Sequence, residues 1–134
     1  MSSRGSKAEN GHVTTDEYET EKVTQTGVKI LKGIGSNHSL PDYAHTPGSI
    51  YAKMKKDGVT LHEMRFYDDK GYPVIEIAYH QEKKIKKYKT EKDIVHFHYF
   101  DGLNRGDAQR MDEHPDVKEL NAIYLKEFNL YDKC

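Results

Sequence analysis

The run "IVHFHYF" at 94–100 sets two imidazoles, His96 and His98, one residue apart inside an apolar stretch. Side chains alternate between the faces of an extended strand, so the two rings point the same way, with Cα atoms roughly 7 Å apart. The same period applied to residues 59–67 groups Arg65 with Val59, Leu61, Glu63 and Tyr67, and sends His62 to the other face with Met64 and Phe66. Applied to residues 72–80, it groups Glu76 and His80 opposite Ile75, Ile77 and Tyr79. If the more apolar sets share a core, Arg65, Glu76, His80, His96 and His98 gather on the second face of one sheet.

Three readings fit that set. Cleavage of RNA without a metal needs a base, an acid and a cation for the phosphorane-like transition state, the 2′-hydroxyl being the nucleophile. His96 or His98, His80 or Glu76, and Arg65 or Arg105 have the types for those roles. Lys83, Lys84, Lys86 and Lys87, in a run of six lysines between 83 and 92, would hold the phosphate backbone. Alternatively, His80, His96 and His98 could bind zinc with an open fourth position, the one cofactor these residues suggest. The third reading is a solvated face, where charged and imidazole side chains are ordinary cross-strand neighbours. Other chemistries lack their parts. No serine or cysteine has a convincing base beside it, and Gly33 and Gly35 lead into a Pro-containing loop rather than a phosphate-binding helix.

The elements that must position these groups are legible in outline. Residues 49–56 read as a strand, and Asp57-Gly58 is a two-residue hairpin signal. Residues 59–67, 72–80 and 94–100 give three more strands, with "DDKG" turning the chain between the first two and Pro73 at a strand start. Residues 101–114 form a polar loop. Pro115 then opens a helix over 115–128 with Val117, Leu120, Ile123, Tyr124 and Phe128 on one face. The expectation is an α+β domain: an antiparallel meander of about four strands with the C-terminal helix packed on one face.

Three regions are predicted: a disordered tail over 1–12, an arm and loop over 13–48, and the α+β domain over 49–134. The tail is Ser, Gly, Lys, Glu and Asn with almost nothing to bury. Residues 16–26 suit either an edge strand or a helix capped by Thr15. The 33–49 loop holds His38, Asp42 and His45, and is long enough to be functional. At 134 residues the chain supports one core. A formal charge of −1 gives no overall field toward nucleic acid or membrane. The single cysteine, Cys134, excludes an internal disulfide, and no apolar run reaches membrane-spanning length. A cytoplasmic protein is expected, with no membrane partner and an oligomeric state the sequence does not fix.

Residues 48–98 resemble a small domain at the C-terminus of phage and prophage minor head proteins. The likeness is carried by "GSIY" at 48–51, "RFYDDKGYPVIEIAY" at 65–79 and "HFH" at 96–98. It implies a nuclease-like toxin module of a phage or mobile element acting in a bacterial host cell. Arg65, His96 and His98 are then its functional positions, with Tyr67 as neighbour. This chain departs from the group in having no head-protein body and in its lysine-rich insert before "HFH". A non-enzymatic module that binds a host or phage protein is therefore the alternative.

Overall fold

The computed structural model describes residues 8–9, 12–13, 18–33, 40–81 and 93–134. Its centre is one mixed, mostly antiparallel sheet of eight strands. These are β1 (Tyr18–Val23), β2 (Lys29–Gly33), β3 (Ile50–Met54), β4 (Leu61–Tyr67), β5 (Pro73–His80), β6 (Ile94–Asp101), β7 (Asn104–Arg105) and β8 (Gln109–Arg110). Their order is β8-β6-β5-β4-β3-β2-β1, with β7 paired to β6 beside that path. A separate two-stranded ladder joins Ala8–Glu9 to His12–Val13. Two short helices, α1 (Pro115–Leu120) and α2 (Ala122–Glu127), follow the sheet. No helix among the described residues is long and apolar enough to cross a membrane.

The α+β class is as expected, and β3 to β6 are consecutive antiparallel neighbours, but the sheet as a whole is not the four-strand meander expected. It does not stop at four strands. The arm supplies β1 and β2 as an antiparallel hairpin, turned where Gly27 N–H donates to Thr24 O (3.0 Å). β2 then runs parallel to β3, pairing Lys29 with Tyr51 and Ile30 with Ala52. The polar segment after β6 adds β7 and β8, so it too is partly strand.

Turn chemistry explains why the meander forms here. At 57–60 the Asp57 carboxylate accepts from the N–H groups of Val59 and Thr60 (both 2.9 Å), while Gly58 takes φ +74°. At 68–72 Asp68 accepts from the N–H of Lys70 (2.8 Å) and Tyr72 (2.9 Å). Gly71 is required there twice over. Its φ is +87°, and a Cβ would lie 2.2 Å from the Ala44 carbonyl oxygen.

Each face of the sheet carries its own buried cluster. One joins Ile30, Ala52, Leu61, Met64, Ile75, Ile77, Val95 and Phe97 to Val117, Leu125 and Phe128 of the C-terminal segment. The other joins Tyr18, Leu31, Leu40, Ala44, Tyr51 and Tyr67. The single helix expected over 115–128 is broken at Asn121 (φ −107°, ψ 15°), whose side-chain amide donates to Val117 O at 2.9 Å. The break shifts the helical phase. Leu125 is buried instead, while Leu120 (82% exposed) and Ile123 (60%) leave the core face assigned to them.

The disordered-tail prediction for 1–12, His38 and the lysine run fall largely or wholly outside the described residues.

Candidate functional site

The register across β3 to β6 builds one straight row: Tyr51 beside Arg65, Arg65 beside Glu76, Glu76 beside His98. The next row on the same face runs Lys53, Glu63, Ala78, His96 and Arg110. Directly opposed residues on neighbouring strands have Cβ atoms about 5 Å apart, so long polar side chains in such rows must interact.

They do so out of water. Glu76 and His96 are 0% exposed, His98 4%, Arg65 7% and Glu63 8%. The face is therefore covered rather than solvated. Part of the cover is the segment from Leu40 to Ser49. Arg65 Nη1 donates to Pro41 O (3.2 Å) and more weakly to Leu40 O (3.5 Å), and the Tyr67 hydroxyl donates to Pro41 O. Ala44 N–H donates to Gly71 O at 2.8 Å, and Tyr67 N–H to Ser49 O at 3.0 Å. Phe100 lies 5.0 Å from the Arg65 guanidinium and closes another side.

Glu76 is the hub. Arg65 donates to its Oε1 through Nε (3.0 Å) and Nη2 (2.6 Å), and Arg105 donates to Oε2 through Nη1 (3.1 Å). Arg105 arrives through the β6–β7 hairpin, where Phe100 pairs with Arg105 and Gly102 takes φ +60° at the turn. Its side chain stays half exposed while the carboxylate it touches is fully buried. Burial pushes the Glu76 carboxyl up, but the charge and hydrogen bonds of Arg65, then Arg105 and His98, outweigh it and hold Glu76 below its usual value. Arg65 is correspondingly raised: burial opposes its charge, and Glu76 more than compensates. Glu63 goes the other way, raised by burial and by the nearby Glu76 charge. Two carboxyls on one dry face thus have opposite tendencies, Glu76 to ionise and Glu63 to stay protonated.

The histidines form a continuous line. Ring centroids are 4.8 Å apart from His62 to His80, 4.7 Å from His80 to His96 and 5.4 Å from His96 to His98. Nδ1 meets a backbone carbonyl in three of them: His80 with Gln81 O (2.7 Å), His96 with Ile94 O (2.8 Å) and His98 with Gly106 O (2.9 Å). A carbonyl can only accept, so each of these Nδ1 atoms carries a proton.

The five residues predicted to be catalytic are therefore on one face, in two groups. Arg65, Glu76 and His98 meet directly in the register, and Arg105 joins them from the hairpin. His80 and His96 continue the line away from that hub. The expected zinc set of His80, His96 and His98 is not drawn together. Among the described residues, the group whose ligand atoms all lie within 4.8 Å of one another is His62, Glu63 and His80.

His62 was expected on the opposite face, and a β-bulge moves it. Lys53 pairs with Glu63 but Met54 pairs with Leu61, leaving His62 as an extra residue on β4. The phase slips by one there: Leu61 turns into the core beside Met64, and His62 stacks on His80. Two-residue periodicity could not reveal this, because both phases carry apolar residues at 59–66. His45 is exposed, and Lys83, Lys84, Lys86 and Lys87 are outside the described residues.

No protein-family model matches this chain, and neither a curated protein nor a solved structure matches it. Fold and site define it as an α+β protein with a mixed sheet and, at one end of a histidine line, a buried Arg65–Glu76 pair capped by the half-exposed Arg105.

Proposed function

We propose that this is a nuclease-like protein of a phage or mobile element that cleaves RNA without a metal in the cytoplasm of a bacterial host. The observation that carries the reading is the row Arg65–Glu76–His98, with Arg105 reaching Glu76 Oε2 from a half-exposed position. Glu76, held ionised, is the base for the 2′-hydroxyl. His98 is the acid in its imidazolium form: Nδ1–H stays on Gly106 O, and the proton on Nε2 passes to the leaving 5′-oxygen. Arg65 and Arg105 supply the charge that the phosphorane-like state needs. The buried hub requires an opening step. A substrate phosphate competing for Arg105 would draw the β6–β7 hairpin off Glu76 and admit the 2′-hydroxyl.

The test is RNA cleavage in EDTA by the wild type, His98→Ala and Arg105→Ala. Wild-type activity that survives EDTA and falls by about 10²–10⁴-fold in a His98→Ala variant that still unfolds cooperatively in urea supports the reading. A wild type that leaves RNA intact overturns it.

A second reading, a module that binds a host or phage protein, is favoured by exposed Tyr72, Val74, Tyr99 and Leu103. Because Ile75 pairs with Tyr99, all four lie at the same end of β5 and β6. Exposed apolar groups gathered at one end of a sheet suit a protein partner.

A further inference from the structure

We propose that His62, Glu63 and His80 form a binding site for a zinc-type divalent ion at the open end of the histidine line. One ligand atom from each of the three lies within 4.8 Å of the others. Two imidazoles and one carboxylate, with a fourth position left to solvent, are a recurrent donor set for zinc. The nitrogen donors select against magnesium and calcium, which prefer oxygen. A tetrahedral ion with ligands at about 2.1 Å needs its donor atoms about 3.4 Å apart, so the three must close by roughly 1 Å. His62, only partly buried and with no hydrogen bond holding its ring among the described residues, is the ligand that makes most of that movement.

The bulge is what makes the site. Residues 62 and 63 are consecutive, and in a regular strand they would face opposite sides. The extra residue on β4 re-aims His62 to the side of Glu63, against His80 on β5. His80 is already fixed in the tautomer a ligand needs, its Nδ1–H donating to Gln81 O at 2.7 Å and leaving Nε2 for the ion. Glu63, only 8% exposed, brings a carboxylate oxygen within 4.8 Å of a ring nitrogen of each imidazole. The site lies in the row next to the Glu76 hub and does not depend on RNA cleavage.

The experiment uses the full chain and zinc chloride, with a chromophoric chelator as competitor and cobalt(II) as spectroscopic probe. One ion should bind, with visible cobalt bands of a four-coordinate nitrogen–oxygen site. His62→Ala, His80→Ala and Glu63→Gln should each weaken binding by about a hundredfold or more, beyond the 10–100-fold cost of losing outer-shell support. Exposed His45→Ala should bind as the wild type does. Because a variant in the sheet could misfold, imidazole proton resonances of the wild type provide a second reading. Zinc should shift those of His62 and His80 and leave His45 unmoved. No binding, or binding that survives His62→Ala and His80→Ala alike, overturns the site.

Discussion

Glu76→Gln tests whether the buried carboxylate is the hub of the second face. The amide keeps the shape of the side chain and can still accept one hydrogen bond from Arg65, but it removes the negative charge between two guanidinium groups. Glu76 has no exposed surface and the Arg65 side chain is only 9% exposed, so the Arg65 charge would remain in a dry site without its counterion. Removing one partner of a buried ion pair costs about 3–5 kcal/mol. The low end applies here, since Pro41 O still accepts from Arg65 and Arg105 can turn to water. A loss of about 3 kcal/mol is large against the roughly 5–15 kcal/mol that stabilises a typical domain, and lowers the melting temperature by roughly 10 °C.

Urea unfolding followed by circular dichroism measures the difference directly, and its pH dependence checks the cause. The folded-state pKa of Glu76 is depressed, so its contribution is fully present above the ordinary carboxylate value of about 4.3 and is lost as pH falls through the folded value. Wild type and variant should therefore differ fully at pH 7 and converge in acid. A difference below about 0.5 kcal/mol at pH 7, the range of ordinary surface substitutions, would refute the role given to the ion pair. The double change Arg65→Met with Glu76→Leu should recover much of the loss, since apolar residues of similar volume often replace buried pairs without cost. Recovery stops short of complete because the carbonyls of Leu40 and Pro41 lose their donor.

Glu63 should respond to pH in the opposite sense. Its folded pKa is raised, so its stabilising contribution is present below the ordinary carboxylate value and is lost as pH rises through the folded value. In EDTA, Glu63→Gln should thus be neutral near pH 3 and more stable than the wild type by about 1 kcal/mol at pH 8, read by urea titration at both pH values. A variant that is less stable at pH 8 contradicts the assignment. In the C-terminal segment, Leu125→Ala should cost about 3 kcal/mol and Leu120→Ala within about 0.5 kcal/mol. Equal costs in thermal unfolding would mean an unbroken helix with Leu120 on its buried face.

What was legible in the sequence follows the regular parts of the sheet. β4, β5 and β6 could be sorted by face because β5 pairs with β6 from Ile75 to His80 without a slip, as does β4 with β5 from Glu63 to Phe66. That regularity is why Arg65, Glu76 and His98 were found together from alternation alone. Local irregularity defeated the same reasoning. The bulge at His62 costs no change in composition, so neither His62 nor the inward turn of Leu61 could be seen. Asn121 likewise breaks a helix whose apolar spacing reads as continuous. The cover over the second face was hidden for a different reason. It comes from backbone carbonyls with no side-chain signature, those of Leu40 and Pro41, distant in sequence, above Arg65, and that of Gly106, on the next hairpin, beside His98.

That cover changes which variant separates catalysis from architecture. A solvated row would have made every member a fair catalytic probe, since removing an exposed charge barely alters stability. In a covered row, Glu76→Gln or Arg65→Met disturbs folding and activity together, and a lost activity then says nothing about chemistry. Arg105 escapes this. Half its side chain is in water, and its bond to Glu76 Oε2 leaves the two Arg65 bonds to Oε1 untouched when removed. Arg105→Ala should therefore unfold close to the wild type in urea while losing most RNA cleavage, if Arg105 is the group that first meets the phosphate. Cleavage at the wild-type rate with unchanged stability would make Arg105 a surface cap on Glu76 and remove the opening step from the proposed mechanism.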